Sequence, residues 1–196
     1  LSNPRNAYLN GERATGMIFD NERMLGAIPV TPGWQTESNQ ASSFIGWSVA
    51  GADVNGDGYR DVIVGAPFKG SGGEAYVYLG SASGLSSTPA WTGVGPANSR
   101  FGWAVASAGD VNGDGFDDVL IGAPTYISSA SILEGAVYLY YGSAAGVESV
   151  PVWKARGYYE NGLDPEFGSS VAGGDLNGDG YSDIVVGAPY YDGDGI

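Results

Sequence analysis

The feature that most constrains this chain is a pattern that occurs three times. Asp-x-Asn-x-Asp-Gly-x-x-Asp runs from Asp53 to Asp61, from Asp110 to Asp118 and from Asp175 to Asp183. Each copy is preceded by Ile45-Gly46, Phe101-Gly102 or Phe167-Gly168 and followed by Gly65-Ala66-Pro67, Gly122-Ala123-Pro124 or Gly187-Ala188-Pro189. The first aspartates stand 57 and then 65 residues apart. A second block repeats in phase with the first. Tyr76-Val77-Tyr78-Leu79-Gly80-Ser81 matches Tyr138-Leu139-Tyr140-Tyr141-Gly142-Ser143, and Pro89-Ala90-Trp91 matches Pro151-Val152-Trp153 and, upstream, Pro32-Gly33-Trp34. A repeat of about sixty residues means one supersecondary unit copied along the chain, each copy covering its neighbour's apolar face.

Within a unit, apolar residues alternate with period two in runs of four to six, bounded by Gly and Pro. That is strand patterning, and it predicts four strands per unit. Four-stranded sheets repeated at this spacing predict an all-β fold, a β-propeller with four-stranded blades. A β-sandwich with decorated hairpins is the competing fold, but it gives no reason for an in-phase repeat. The repeat units span about 45–93, 101–153 and 167–196 within a propeller region of 31–196. Residues 1–30, including Met17-Ile18-Phe19-Asp20, match the repeat poorly and read as a degenerate strand pair or a linker. Three units fall short of the roughly four to eight blades that close a ring. The expectation is a segment of a larger propeller, or a chain that completes its ring with another copy. A start at Leu1 rather than Met fits a processed product or a fragment.

Composition removes whole reaction classes. The chain has no Cys and no His, so it lacks the usual residues for a thiol nucleophile, a Ser-His-Asp triad, a zinc site or a haem ligand set. Eight basic residues against 22 acidic ones give a net charge of −14, which repels nucleic-acid phosphates and anionic lipid headgroups. No apolar run approaches the roughly 18 residues of a membrane span, and no signal-peptide pattern opens the chain. With 34 glycines and 10 prolines, turns are frequent, as many short strands require.

The acidic loops offer oxygen ligands at positions 1, 3, 5 and 9 and a backbone carbonyl at position 7. These are Asp53, Asn55, Asp57, Tyr59 and Asp61, then Asp110, Asn112, Asp114, Phe116 and Asp118, then Asp175, Asn177, Asp179, Tyr181 and Asp183. Glycine at position 6 permits the sharp turn that wraps such ligands round one centre. Three carboxylates in nine residues repel one another without a cation, so the expected occupant is a hard metal, Ca²⁺ in preference to Mg²⁺, about three ions in all. The competing reading is an Asx turn, in which Asp and Asn bond their own backbone. An EF-hand does not fit: its position-12 glutamate is replaced by Val64, Ile121 and Val186, and the flanks are strands. The position-9 aspartate would then supply the bidentate ligand, with affinity on the order of 10⁻⁴–10⁻³ M.

Phe-Gly, then the aspartate loop, then Gly-Ala-Pro resembles the FG-GAP repeat of integrin α-subunit β-propellers and their bacterial relatives, over about residues 45–196. The resemblance implies a seven-bladed propeller, Ca²⁺ in the hairpin loop between the first two strands of a blade, and ligand contacts made mainly by loops of the opposite face. One departure is Ile45 in place of the first Phe. The Ser-Ala-Ser-Gly-Leu85 and Ser-Ala-Ala-Gly-Val147 turns resemble bacterial secreted members more than animal integrins.

The remaining candidates are aromatic and acidic loop residues. Trp34, Trp91 and Trp153 recur at one register and Trp47 and Trp103 at another, which fits blade packing; sugar stacking is the alternative, for which Tyr126, Tyr158 and Tyr159 are better placed. Glu160, Asp164 and Glu166, in the longest inter-repeat loop, offer one candidate glycosidase pair, and solvated acidic loops are far commoner. The expected function is a non-enzymatic, Ca²⁺-binding extracellular or cell-surface module for adhesion or protein recognition, with the metal structural. A lectin-like propeller or a portion of a secreted hydrolase is the alternative. The expected partner is a protein or a glycan, with no nucleic acid and no membrane insertion.

Overall fold

The structure, a computed structural model, describes residues 15–18, 33–37, 40–128, 132–157 and 165–191. Tyr158, Tyr159, Glu160, Asp164 and most of 1–30 lie outside the described residues. Every regular element among the described residues is a strand. They are β1 (Thr15–Ile18), β2 (Trp34–Glu37), β3 (Val49–Ala52), β4 (Asp61–Ala66), β5 (Glu74–Tyr78), β6 (Trp91–Val94), β7 (Ala104–Gly109), β8 (Asp118–Ala123), β9 (Ala136–Tyr140), β10 (Trp153–Arg156), β11 (Ser170–Gly174) and β12 (Asp183–Gly187). Two antiparallel four-stranded sheets, β3-β4-β5-β6 and β7-β8-β9-β10, follow the chain order of the two complete repeats. A two-stranded sheet flanks each side, β1-β2 before them and β11-β12 after.

The register extends the repeat beyond what its residues reveal. Ile18 opposes Trp34 as Val77 opposes Trp91 and Leu139 opposes Trp153, so β1 and β2 occupy the places of the third and fourth strands of a blade. β11 and β12 occupy those of the first and second. The first strands succeed one another, β3 beside β7 and β7 beside β11. This is part of a β-propeller, with first strands innermost and blades stacked face to face.

The stacking explains why the central strands are apolar on both faces. In β4, Ile63 faces the second blade together with Trp91, Phe101, Val119 and Ile121, while Val64 faces the other way with Ile45, Tyr76 and Tyr78. In β8, every residue is buried, with Leu120 turned toward Phe167, Val171 and Ile184 of the third unit. Each such fully buried aliphatic side chain contributes about 1.5–3 kcal/mol. Ile45 in place of Phe keeps its position in the core and is 5% exposed.

Blade contact also explains the Phe-Gly and Gly-Ala-Pro pairs. Within a unit, Gly102 N donates to Gly122 O at 3.1 Å, and Gly46 and Gly168 make the same bond to Gly65 and Gly187. Gly102 has φ +86°, which glycine alone adopts freely. Between units, a Cβ on Gly65 would meet Gly102 O at 2.0 Å, and one on Gly122 would meet Gly168 O at 2.0 Å.

The tryptophans divide. Trp34 and Trp91 join units through their indole N–H groups, donated to Ser86 O and Glu148 O at 2.9 Å each. Trp153, at the same register, is 43% exposed. Trp47 and Trp103 lie at the other end of the blades, ring centroids 4.7 Å apart, and Trp47 is 47% exposed. Trp34 and Trp91 thus join blades through a hydrogen bond, and Trp47 and Trp103 join them ring against ring, with Trp103 half-buried and Trp47 partly open to solvent.

Candidate metal-binding loops

The three aspartate loops join β3 to β4, β7 to β8 and β11 to β12, so they lie at the same end of successive blades. Their local geometry is copied almost bond for bond. In the first loop, Asp57 N donates to Asp53 Oδ1 at 3.1 Å and to Asn55 Oδ1 at 3.2 Å. Gly58 N donates to Asp53 Oδ2, and Tyr59 N to Asp57 Oδ1. Asn55 Nδ2 donates to Asp57 Oδ2 at 2.9 Å. Asp114 N meets Asp110 and Asn112 in the same way in the second loop, and Asp179 N meets Asp175 and Asn177 in the third. Gly58, Gly115 and Gly180 sit at φ between +85° and +92°, the conformation the turn requires of position 6.

The position-9 aspartates behave differently from the other ligand candidates. Asp61 and Asp118 are fully buried beneath their loops. Both oxygens of Asp61 accept backbone bonds, from Val54 N and Gly80 N at 2.8 Å. Asp118 accepts from Val111 N and Gly142 N at 2.9 Å. Asp183 accepts from Leu176 N at 2.9 Å. The bonds from Gly80 and Gly142 tie the hairpin to the loop between the third and fourth strands, and the others close the hairpin on itself. Burial raises the Asp61 carboxyl above its ordinary value, against the lowering effect of those amides and with a further push from Asp57 and Asp53. The same causes lift Asp118 to about 6.

Among the described residues, no three acidic side chains gather round a common centre. What converges is the carboxylate of position 1 and the amide oxygen of position 3, both aimed at one backbone N–H, which is the Asx-turn pattern. That pattern fits a hard cation as well, because an ionised carboxylate has about four lone-pair sites and each of these oxygens uses only one or two. The donor set is all oxygen, as Ca²⁺ prefers.

The loops also touch one another. Asp117 N donates to Asp53 O at 3.0 Å, Asp53 N donates to Asp117 Oδ2 at 2.9 Å, and Arg60 reaches the same Oδ2 at 3.1 Å. Ser182 N donates to Asp110 O at 2.9 Å in the next pair. The Phe116 ring lies against Gly56, where an added Cβ would come within 2.9 Å of it, and Tyr181 lies likewise against Gly113. Position 8, held by Arg60, Asp117 and Ser182, was not among the expected site residues. Its signal was opposite charge at one register of successive units.

The opposite end of the blades carries none of these aspartates. There the connections after β4, β6 and β8 meet, and the side chains of Phe44, Trp47, Phe68 and Trp103 form one aromatic cluster with centroids 4.7–6.2 Å apart.

Comparison with known proteins agrees with this architecture. The FG-GAP repeat matches residues 45–78, 101–140 and 167–196, more than half the chain. Integrin alpha-5 of Xenopus laevis is 38% identical over 161 residues, covering 76% of this chain and 15% of the relative. Human integrin alpha-6 is 38% identical over 154 residues, covering 76% of this chain and 13% of the relative. Chicken integrin alpha-V is 34% identical over 188 residues, covering 85% and 17%. This chain thus spans less than a fifth of the length of these relatives. Repeat, register and family match coincide on the same residues, and the chain belongs to the FG-GAP repeat family, the integrin-α-like β-propeller proteins.

Proposed function

We propose that this chain is a calcium-stabilised, extracellular propeller module for adhesion or protein recognition, with no enzymatic activity of its own. The observation that carries the reading is the threefold copy of one oxygen-lined loop geometry at a single end of the blades, in a chain whose relatives are integrin α-subunits. Asp53, Asn55, Asp57, Asp61 and the Tyr59 carbonyl would hold one ion, and their counterparts in the other two loops would hold two more. Bound calcium would supply the positive charge that these carboxylates lack. The chain's own residues do the rest: position 6 glycine turns the loop, and position 9 aspartate anchors it to the third-to-fourth strand connection. Three divalent ions would take the net charge from −14 to −8.

The metal role is structural on this reading, because each loop joins the first two strands of a blade and, in the first two units, its position 9 aspartate ties it to the connection after the third strand. The opposite end, with its exposed aromatic rings, is left for a partner. Further blades, or a second copy, would complete the ring. Among the described residues, no helix is long and apolar enough to cross a membrane. Half-exposed Trp47 beside Trp103 keeps a second reading in view, stacking on a sugar ring.

The first test is calorimetric titration and thermal unfolding after chelation. The expected result is up to three bound Ca²⁺ per chain and a rising midpoint, each site adding about 2.7 kcal/mol at a hundredfold excess over its Kd. Absence of both heat and shift would reduce the loops to Asx turns. Recognition is tested by immobilising the chain and measuring adhesion of cells and of purified matrix proteins in calcium and in chelator. Binding to glycans alone would favour the lectin reading.

A further inference from the structure

Opposite the aspartate loops, the connections after β4, β6 and β8 border an open pocket of about 380 Å³, within the size range of ligand pockets. Its walls include Pro67, Phe68, Asn98, Arg100, Ile127 and Leu133. Arg100 is the only charged side chain among the lining residues. It stands immediately before the Phe-Gly pair at φ +54°, a conformation L residues avoid. Phe44 and Glu166 hold the same place in their own units at φ +52° and +47°. The conformation therefore belongs to the repeat, and what sets the second unit apart is the positive charge of the side chain it carries there.

The surroundings fix the guanidinium without neutralising it. Its carbon lies 5.3 Å from the centroid of Phe68 and 5.4 Å from that of Trp103, so two rings hold it in position. Among the described residues, Arg100 makes no ion pair. The chain's net charge is −14, yet among the described residues no acidic side chain lines the pocket. Two phenomena meet here: a prepositioned fork of donors, which matches a carboxylate in two parallel hydrogen bonds, and apolar walls beside it.

We propose that this pocket receives an acidic side chain from an apolar-flanked segment of a protein partner. Arg100 pairs with the carboxylate, and Phe68, Ile127 and Leu133 accept the flanking apolar groups. The inference rests on the protein-recognition reading above and names the chemistry of the partner. A peptide fits better than an acidic sugar. A sugar ring needs several side-chain partners for its hydroxyls, whereas the lining offers one amide and two hydroxyls, and Thr125 Oγ1 already donates to Asn98 O at 2.7 Å.

The test uses the whole 196-residue chain and three probes: the peptide acetyl-Gly-Leu-Glu-Leu-Gly-amide, its Gln twin and N-acetylneuraminic acid. Nuclear magnetic resonance follows the Arg100 Nε–H and the Trp103 indole N–H. The Glu peptide is expected to shift both signals, with the Gln twin about tenfold weaker or worse, as loss of a charge-assisted pair implies. Arg100→Gln should weaken the Glu peptide by the same factor and leave the Gln twin unchanged, with Arg100→Lys in between. Equal response to both peptides on the unmutated protein overturns the proposal whether or not the variants fold. So does a stronger response to the sugar acid, or shifts confined to other residues. In the adhesion assay, Arg100→Gln protein that binds matrix proteins as well as wild type sinks this site and leaves protein recognition standing. Wild-type protein that binds no protein removes both.

Discussion

Tyr76 and Tyr138 occupy one place in successive blades, and their hydroxyls meet different environments. Tyr76 donates to Glu74 Oε2, whereas the residue two before Tyr138 is Ala136, and the buried Tyr138 hydroxyl has no hydrogen-bond partner among the described residues. Burial holds both phenols above their ordinary pKa, so neither ionises near neutrality. An unpartnered buried hydroxyl costs about 1–3 kcal/mol, whereas removing a donor to a charged acceptor forfeits about 1.5–3 kcal/mol. Tyr138→Phe is therefore expected to leave stability unchanged or raise it by about 1 kcal/mol, and Tyr76→Phe to lower it, both read from urea midpoints. Equal losses in the two variants would show that the Tyr138 hydroxyl has a partner. The Tyr-x-Tyr register itself was legible from alternation alone. Its polar partners were not, because a single residue, Glu74 against Ala136, separates the two outcomes.

At the scale of elements, the repeat made the hairpins readable because turn chemistry is local. Aspartate at position 1 and glycine at position 6 dictate the loop in all three units, and the structure repeats their hydrogen bonds. Less legible was β1, whose Thr15-Gly16-Met17-Ile18 lacks the Tyr-x-Tyr signature and takes its place only by pairing with β2. The partial exposure of Trp47 was also hidden, since recurrence at a register looks the same whether a ring is sealed between blades or left at their edge. The pocket at Arg100 had no signal in the sequence, because three separate connections create it. The Gly-Ala-Pro glycines show how tertiary contact sets a local residue. A Cβ on Gly122 would lie 2.0 Å from a neighbouring backbone carbonyl that cannot turn aside. Gly122→Ala should therefore cost more than about 3 kcal/mol or abolish folding. Gly33→Ala, with no atom within 4 Å of the added methyl, should cost less than about 1 kcal/mol. Thermal unfolding of the two variants side by side decides it; a mild Gly122→Ala would mean that the blades do not approach so closely.

At the scale of the molecule, the decisive comparison is between equivalent residues on successive second strands. Ile63 and Leu120 are fully buried, each covered by a neighbouring unit, while Val185 at the same register of β12 is 46% exposed. Leu176, in the loop before β12, is 70% exposed, whereas its counterpart Val54 in the first unit is fully buried. Exposed apolar surface of this kind on a central propeller strand marks a face that another sheet would cover. The 20.1 kDa chain by itself should bury that face against a second copy. Sedimentation is expected to give a mass above that of one chain, falling to one chain at high dilution. Val185→Glu places a charge on the open face and should return the protein to a single-chain mass at every concentration, with the β-sheet circular dichroism retained. A wild-type chain that stays monomeric at high concentration would mean that the β12 face is tolerated in water, and that adding blades, rather than copies, is the route by which this propeller closes.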